Sequence, residues 1–256
     1  MLLEGLRWTQ LAELGDRVFL VPLGSMEQHG RHLPLATDTM IVGEIARRLE
    51  GRLPHQVVLA PTQWLGHSPH HARFGCVSLN LRPYMDMIGG ICRSLAGLGA
   101  RRIFLLNGHG GNDAPCRAAL SELKTEFGSG QGPRIAFASY WTLAAERMAK
   151  IRTSPPGGMG HACEMETSVM LAIHPELVSQ GEAVDEGAFG PGKFQVLDML
   201  RPQPYVMVRN FDELSPSGTL GMPSHATAAK GREFLDAATE SAAAFIAEFA
   251  SWPVLS

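Results

Sequence analysis

Residues 102–112 read RIFLLNGHGGN, an apolar run that leads directly into a turn rich in glycine. The run 102–106 is typical of a buried strand, and residues 114–127 beyond the turn have the apolar spacing of a helix. A second strand pattern, residues 17–23, likewise ends at a glycine, Gly24. Strand and helix patterns alternate along the rest of the chain, which predicts an α/β protein with a mostly parallel sheet and helices on both faces.

The remaining strands and helices are predicted from the same spacing of apolar residues, which differs between a strand and a helix. Strands are expected at residues 56–60 and 134–140, and helices at residues 38–49, 83–98, 161–173 and 226–249. We interpret residues 1–256 as a single domain. Residues 179–217 break the pattern, because they are rich in glycine and proline and too long for a simple connection. This stretch is predicted to be a loop excursion or small subdomain that covers the site or joins subunits.

Composition sets limits on the function. The net charge of -3 and the absence of a long basic run argue against a nucleic-acid partner. The four cysteines form no CxxC pair, which argues against a zinc ribbon and against a disulfide framework. No apolar run reaches the ~18 residues of a membrane span, and the N-terminus lacks the pattern of a secretory signal. The protein is therefore expected in the cytoplasm, with no membrane partner.

The first polar cluster, residues 24–39, lies between a strand and a helix. Glu27 and His29 are two residues apart, so in an extended chain their side chains point the same way. Carboxylate and imidazole are ligands expected of zinc or manganese. Asp38 lies where the helix begins and is our candidate for a carboxylate that bridges two metals. The alternatives are a helix N-cap for Asp38 and a surface loop for the other two.

The second cluster is the glycine-rich turn that follows residues 102–106. His109 suits a third ligand position, and the backbone of Gly110, Gly111 and Asn112 is predicted to approach the substrate closely. The alternative is a phosphate-binding turn at a helix N-terminus, which would leave the histidine unexplained.

The third cluster, residues 160–168, opens a predicted helix. Glu164 and Glu166 diverge by about 200° around a helix, so only one of them is expected to face the site. Our hypothesis makes Glu166 the ligand, Glu164 a solvent-facing charge of the first helical turn, and His161 a proton-transfer group. Structural capping is the alternative.

A further loop, GHSPHH at residues 66–71, could line the substrate pocket through Ser68 and His70. The adjacent histidines, His70 and His71, are expected to point to different sides, so that at most one contributes. No GxSxG elbow is present, which argues against a serine nucleophile.

Together these motifs resemble the creatininase family. The matching stretches are PLGSMEQHGRHLPLATDT (residues 22–39), NGHGGN (residues 107–112) and HACEMETS (residues 161–168). The resemblance implies a three-layer α/β/α fold, a two-metal site of zinc, manganese or iron, and a homo-oligomer, with a hexamer favoured. Carried over by position, the implied metal ligands are Glu27, His29, Asp38 as the bridge, His109 and Glu166. His161 matches the family's catalytic histidine.

Two departures bear on the substrate. Creatininases proper resemble N-G-H-Y-E-N at the second motif, whereas this chain has Gly111 at the glutamate position, so Glu166 is expected to fill the gap. Creatininases also carry tryptophans just before the third motif, and residues 154–160 (SPPGGMG) offer none. Both departures argue against creatinine. The broader branch of the family includes formamide deformylases and the peptidase of mycofactocin maturation, many with F-P-G-T where this chain has FGCV (residues 74–77).

The expected activity is hydrolysis of a small non-peptide or cyclic amide by a metal-activated water, with His161 donating a proton to the departing nitrogen. Alternatives on the same site are a peptidase of the mycofactocin-maturation type and a formamide deformylase. A metabolite-binding scaffold without activity is the non-enzyme alternative, and the five intact candidate ligands argue against it.

Overall fold

The structure is a computed structural model that describes residues 1–187, 194, 197–201 and 204–254. Its centre is a four-stranded parallel sheet in the order β3-β1-β5-β6. Two short antiparallel pairs, β2 with β4 and β7 with β8, lie outside this sheet. The strands are β1 (Val18–Leu23), β2 (Met26–Glu27), β3 (Val57–Leu59), β4 (Cys76–Val77), β5 (Arg102–Asn107), β6 (Arg134–Ser139), β7 (Met159–His161) and β8 (Leu220–Gly221).

Helices cover both faces of the main sheet. They are α1 (Thr37–Arg52), α2 (Leu81–Gly97), α3 (Asp113–Phe127), α4 (Tyr140–Leu143), α5 (Ala145–Ile151), α6 (Glu164–Ile173) and α7 (Ala228–Ser251). In the part of the chain that the structure describes, no helix combines the length and the apolar character needed to cross a bilayer.

Strand β1 shows why the sheet needs two helical layers. Its residues are all buried and alternate between two cores. Val18 and Leu20 pack into the core shared with α1, α6 and α7, whereas Phe19 and Val21 pack into the core shared with α2 and α3. A sheet buried on both faces requires continuous apolar strands, which is the pattern of residues 17–23 and 102–106. The predicted α/β/α fold with a mostly parallel sheet is confirmed.

The start of α6 differs from the prediction of a helix over residues 161–173. His161 belongs to the short strand β7, and the helix begins only at Glu164. Ala162 has a positive φ of 51°, which a right-handed helix does not allow. The chain therefore turns sharply between the strand and the helix, and this turn separates His161 from the helical glutamates.

The irregular stretch at residues 179–217 is described in part. Residues 188–193, 195–196 and 202–203 of it lie outside the described residues. Its described part contains the short 3₁₀ turns Gln180–Glu182 and Phe211–Glu213. Residues Leu197, Asp198 and Met199, together with Phe211, line a cavity beyond the carboxyl ends of the main strands. These described residues therefore border the cavity, while the role of the whole stretch, to cover the site or to join subunits, stays a prediction.

Candidate metal centre

The polar clusters meet beyond the carboxyl ends of β1 and β5, where sites form in parallel sheets. The chain leaving β1 supplies Glu27 and His29, and the chain leaving β5 supplies His109. Asp38 comes from the first turn of α1, and Glu166 from the first turn of α6. All five side chains are buried, with exposed fractions of 6% or less. Unpaired carboxylates at such depth are costly, so the cluster requires compensating charge.

The first group of candidate ligands comprises Glu27, Asp38 and His109. The Nδ1 atom of His109 lies 3.1 Å from Glu27 Oε1 and 3.0 Å from Asp38 Oδ2. Among the described residues, neither of these two oxygens accepts a hydrogen bond. His109 Nε2 faces the backbone carbonyl of His67 at 3.1 Å and must donate to it, so Nδ1 of the neutral ring carries a lone pair. Three lone-pair atoms therefore converge on one point, an arrangement that fits a divalent cation.

The second group comprises His29, His161 and Glu166. His29 Nδ1 lies 3.1 Å from the backbone oxygen of Glu27, and His161 Nε2 lies 2.7 Å from that of Gln28. Because a carbonyl can only accept, both nitrogens donate, and the opposite nitrogen of each neutral ring carries the lone pair. The group therefore offers two imidazole nitrogens and a carboxylate to a cation.

Asp38 connects the two groups. Its Oδ2 faces His109, and its Oδ1 lies 3.0 Å from His29 Nε2. One carboxylate thus directs one oxygen toward each group, which is the arrangement required of the bridging ligand expected at this position.

The pKa shifts of the candidate ligands indicate that negative charge is concentrated in this cluster. Burial acts against the charged form of His109, yet the charges of Glu27 and Asp38 raise its pKa well above the usual value. For His29 burial also acts against the charged form, but the charge of Asp38 raises its pKa to about 9. Burial and the charge of Asp38 raise the pKa of Glu166 to about 7, against the opposing effect of His29. Sites with these shifts attract cations.

The histidines around the ligand cluster behave differently. Burial, with the charges of His29 and His71, holds the pKa of His161 well below its usual value. Burial likewise lowers the pKa of His71 to about 3 and that of His70 to about 4. These three rings are therefore neutral near pH 7, and Nδ1 of His161 is available as a base.

Glu164 does not face solvent, so that expectation is wrong. Its side chain is fully buried and points away from the ligand cluster. Its carboxylate accepts hydrogen bonds from the backbone of Thr153 and Ser154 and from Lys230 Nζ at 2.8 Å. The carboxylate is thereby committed to joining α6 to α7 and to the chain after α5, whereas Glu166 is the glutamate that faces the site.

Ser68 and Asn112 do not occupy the substrate-facing positions predicted for them. Both are fully buried, and neither is among the residues that line the cavity in the described part of the chain. Asn112 donates to the backbone oxygen of Gly24 and accepts from the backbone N–H of His67, so it ties three loops together. These contacts engage both the oxygen and the nitrogen of its side-chain amide.

Ser68 instead belongs to a chain of hydroxyl groups beneath the ligands. The hydroxyl of Ser25 donates to Glu27 Oε2 at 3.0 Å, and Ser68 lies 2.5 Å from Ser25. Ser68 therefore donates to Ser25 and, 3.2 Å from His109 Nε2, shares with the carbonyl of His67 the single N–H of that nitrogen. This hydroxyl chain links two candidate ligands and orients both.

A cavity of about 320 Å³ opens above the cluster. His70, Gly110 and Gly111 line it, and their predicted contact with a substrate stays a prediction. His71 lines it as well, so the expectation that at most one of the paired histidines contributes is wrong: the 3₁₀ turn Pro69–His71 presents both rings to the same side. Trp141 and Phe211 supply aromatic walls that the sequence reasoning missed. Trp141 lies directly after β6, so the same strand-end rule could have found it, whereas no local signal marks Phe211.

Gly111 illustrates how the second motif differs from N-G-H-Y-E-N. A Cβ atom at this position would clash with the backbone oxygen of His67 and with the ring of His109, and would lie 2.8 Å from His70 Cε1. With this backbone no side chain fits. Position 111 therefore cannot supply a ligand, and Glu166 is the buried carboxylate on the same side of the cluster as His29.

The buried cluster of carboxylates and imidazoles beyond the carboxyl edge of the parallel sheet has the ligand chemistry of a divalent-metal site. The family model described as creatininase, creatinine amidohydrolase, matches residues 4–246. The chain belongs to the creatininase family, as its three motifs predicted, and its class is that of the metal-dependent amidohydrolases.

Individual relatives support the same assignment. The mycofactocin precursor peptide peptidase of Mycobacterium ulcerans (strain Agy99) is 34% identical over 242 residues, covering 91% of this chain and 86% of the relative. The creatinine amidohydrolase of Pseudomonas putida is 28% identical over 248 residues, covering 91% and 90%. A crystal structure of creatinine amidohydrolase superposes with a TM-score of 0.82 at 26% identity and covers 98% of both chains. Further similar structures are a creatininase with Mn and a mutant creatininase of Zn–Zn type.

Proposed function

We propose that this protein holds two divalent metal ions, of zinc, manganese or iron, and hydrolyses a non-peptide or cyclic amide of a small molecule. The observation that carries the proposal is the convergence of Glu27 Oε1, Asp38 Oδ2 and the lone pair of His109 Nδ1 in a fully buried position. His29, Glu166 and the second oxygen of Asp38 would hold the other ion. When bound, such ions supply an activated water and polarise the amide carbonyl.

His161 is suited to move the proton of this reaction. Its Nε2–H is committed to the backbone oxygen of Gln28, which fixes the ring and leaves Nδ1 as its basic atom. Nδ1 lies 3.9 Å from Glu27 Oε1, beside the candidate ligands, and the ring lines the cavity. In the proposed reaction, Nδ1 takes a proton from the attacking water and passes it to the departing nitrogen.

The cavity favours a compact, largely uncharged substrate. Its volume of about 320 Å³ is at the lower end of the range for small-molecule sites. Beyond the ligands its described walls are aromatic and aliphatic, from Trp141, Phe211, Leu197 and Met199, together with neutral histidines. Asp198 also lines the cavity, but its carboxylate is paired with Arg152 at 2.7 Å.

Peptidase action is the second candidate. It is favoured by the higher identity to the mycofactocin precursor peptide peptidase, 34%, than to the creatinine amidohydrolase, 28%. The same ligands and the same proton-transfer group would serve, and the cavity would receive the side chain next to the cleaved bond.

We further propose that the protein acts as a cytoplasmic homo-oligomer, a hexamer by analogy with its family. Exposed apolar side chains support association: Val206 and Val208 are more than nine-tenths exposed, and Trp8 is 82% exposed. Light scattering coupled to size exclusion measures the assembly, and a monomer at micromolar concentration would contradict this part of the proposal.

The metal site is tested by Asp38→Asn, with Asp113→Asn as the control. Both residues lie in the first turn of a helix, so both changes remove the same charge from a similar position, but Asp113 is partly exposed and pairs with Arg117. We expect Asp38→Asn to lose at least one metal equivalent by elemental analysis and to lower amide hydrolysis at least a hundredfold. The control should retain both properties.

The assay compares creatinine and other cyclic amides, formamides and short peptides on the same zinc- or manganese-loaded protein. Turnover of peptides alone would select the second candidate. A purified protein that takes up no divalent metal, or an Asp38→Asn variant with unchanged metal content, would contradict the proposed function.

A further inference from the structure

The side chain of Gln28 lies between two histidines, and its orientation is fixed by the backbone. Its Oε1 accepts from the N–H of Gly30 at 2.8 Å, and its Nε2 donates to the carbonyl oxygen of Gly218 at 3.1 Å. If the amide were reversed, its oxygen would face the carbonyl oxygen of Gly218 and its NH₂ group would face the N–H of Gly30. Only the observed orientation therefore satisfies both neighbours. The amide group therefore has one hydrogen left to donate.

Two imidazole nitrogens are near enough to receive that hydrogen. His161 Nε2 lies 3.2 Å from Gln28 Nε2, but it already donates its own proton to the backbone oxygen of Gln28 and has no lone pair to offer. His71 Nδ1 lies 2.9 Å away and is the remaining acceptor. Nδ1 of His71 therefore carries the lone pair, and the proton of the neutral ring is on Nε2.

Nε2 of His71 points into the site, 3.1 Å from Glu27 Oε1. The orientation of the ring is supported by Phe211, which stacks against it at a centroid distance of 4.1 Å and an interplanar angle of 23°. The ring is 1% exposed, so bulk water does not compete for this N–H.

This arrangement is the reverse of that of the other three histidines. His29, His109 and His161 are each backed by a backbone carbonyl, which leaves a lone pair directed at the cluster. His71 is backed by a donor, the amide of Gln28. We infer that Gln28 is a positioning residue that holds His71 in the Nε2–H tautomer, so that His71 directs an N–H and no metal-binding lone pair toward the Glu27 carboxylate.

The inference rests on the proposed metal site and makes it more specific. By distance alone, Glu27, His71 and His161 form a third group that could hold a cation. With a proton on His71 Nε2 this group lacks the required lone pair, so the cluster provides for two ions and not three. The N–H of His71 instead faces Glu27 Oε1 from the cavity side as a close polar contact at 3.1 Å, while Ser25 donates a hydrogen bond to the other oxygen of this carboxylate.

The tautomers can be measured directly on the full-length, zinc-loaded protein with ¹⁵N-labelled histidine. Two-bond ¹H–¹⁵N correlation spectra distinguish Nδ1–H from Nε2–H rings, and His71→Gln and His161→Gln assign the two signals. We expect Nε2–H for His71 in the wild type, with and without zinc, and inversion to Nδ1–H in Gln28→Glu, whose carboxylate accepts where the amide donates. An Nδ1–H ring in the wild type, or a His71 Nε2 signal that shifts as a coordinated nitrogen on adding zinc, would overturn the inference.

Failure of the proposed function gives a different result. If zinc perturbs none of the signals of His29, His109 and His161, the metal site itself is refuted, while the tautomer of His71 is still read from the same spectra.

A second measurement does not depend on the folding of Gln28→Glu. His71→Leu removes the donor, whereas His71→Gln keeps an N–H at a comparable reach. By competition with a chelator, we expect zinc binding to weaken about 10- to 100-fold in His71→Leu and to stay within about threefold of the wild type in His71→Gln. Equal losses in the two variants would show that only the packing of the ring matters and would contradict the donor role.

Discussion

At the scale of single residues, the ligand cluster depends on how closely the backbone can approach. The carbonyl of His67 accepts a hydrogen bond from His109 Nε2. The same carbonyl oxygen lies where the Cβ atom of a side chain at position 111 would be. Position 111 must therefore be a glycine for His109 to keep this orientation. The neighbouring Gly110 has open space at its Cβ position and carries no such requirement.

This contrast gives a matched pair of variants. Gly111→Ala should push apart the loop at His67 and the ring of His109, and so lower the free energy of unfolding by about 1–3 kcal/mol, the usual range for overpacking. It should also reduce metal content, because His109 Nδ1 is displaced. Gly110→Ala should change neither quantity by a measurable amount. Urea unfolding and elemental analysis of both proteins provide the check, and equal behaviour of the two variants would contradict the steric argument.

The sequence predicts the proximity of residues whose placement is local. Glu27, His29, Asp38 and His109 follow strands in turns rich in glycine or begin a helix, and the structure brings them together, whereas their role as ligands stays a prediction. The exposure of Glu164 was misjudged because its partner, Lys230, lies 66 residues away. Phe211 was missed for the same reason, since only tertiary structure brings it over His71.

At the scale of elements, the strands of the main sheet were predictable and those of the two short antiparallel pairs were not. Strands β1 and β5 are fully buried and mainly apolar because helices cover both faces, whereas the edge strand β6 is half-buried. The bounds of all three differ from prediction by one residue. Strands β2, β4, β7 and β8 have two or three residues each, too few to show a period. The pairing of β7 with β8, 60 residues further along the chain, is what kept His161 out of the predicted helix.

Helices α6 and α7 are joined by a buried ion pair that makes their packing sensitive to acid. Hydrogen bonds from Lys230, Ser154 and Thr153 outweigh burial and lower the pKa of Glu164 to about 2. A carboxyl with a depressed pKa in the folded state stabilises the fold above its unfolded pKa near 4.5, and this stabilisation is lost as the pH falls from there toward 2.

Glu164→Gln should therefore lower the free energy of unfolding by about 3 kcal/mol at pH 6, with a difference from the wild type that shrinks as the pH approaches 3. Denaturant unfolding at several pH values measures this difference. Glu233→Gln, an exposed change on α7, is the control and should show no such dependence. A difference from the wild type that stays constant between pH 6 and pH 3 would argue against the ion pair.

At the scale of the whole molecule, one wall of the cavity is formed by a segment of the irregular stretch, which a few hydrogen bonds hold in place. Asp198 accepts from Arg152 and from the backbone N–H of Gly157, both at 2.7 Å, and the backbone of Met199 donates to the oxygen of Met159. These bonds hold the cavity-lining residues of the irregular stretch against the chain around β7.

Arg152→Met should loosen this segment without touching the candidate ligands. We expect faster cleavage by chymotrypsin after Leu197 and Leu200, and a raised KM with kcat largely retained for whichever amide the assay identifies. Arg147→Met removes an exposed arginine that pairs with Glu240 on the protein surface and serves as the comparison. Cleavage rates that match between the two variants would show that the anchor is unnecessary.

The proposed metal ligands also link the binding of an ion to the folding of the whole chain. They come from positions as far apart as Glu27 and Glu166, on four different segments, so an unfolded chain cannot gather them. Metal binding and folding are then thermodynamically linked: every tenfold excess of free ion over its dissociation constant adds about 1.4 kcal/mol to the free energy of unfolding. We therefore expect the supply of metal in the surrounding solution to set how long the folded chain survives heat and proteolysis, whether or not substrate is present.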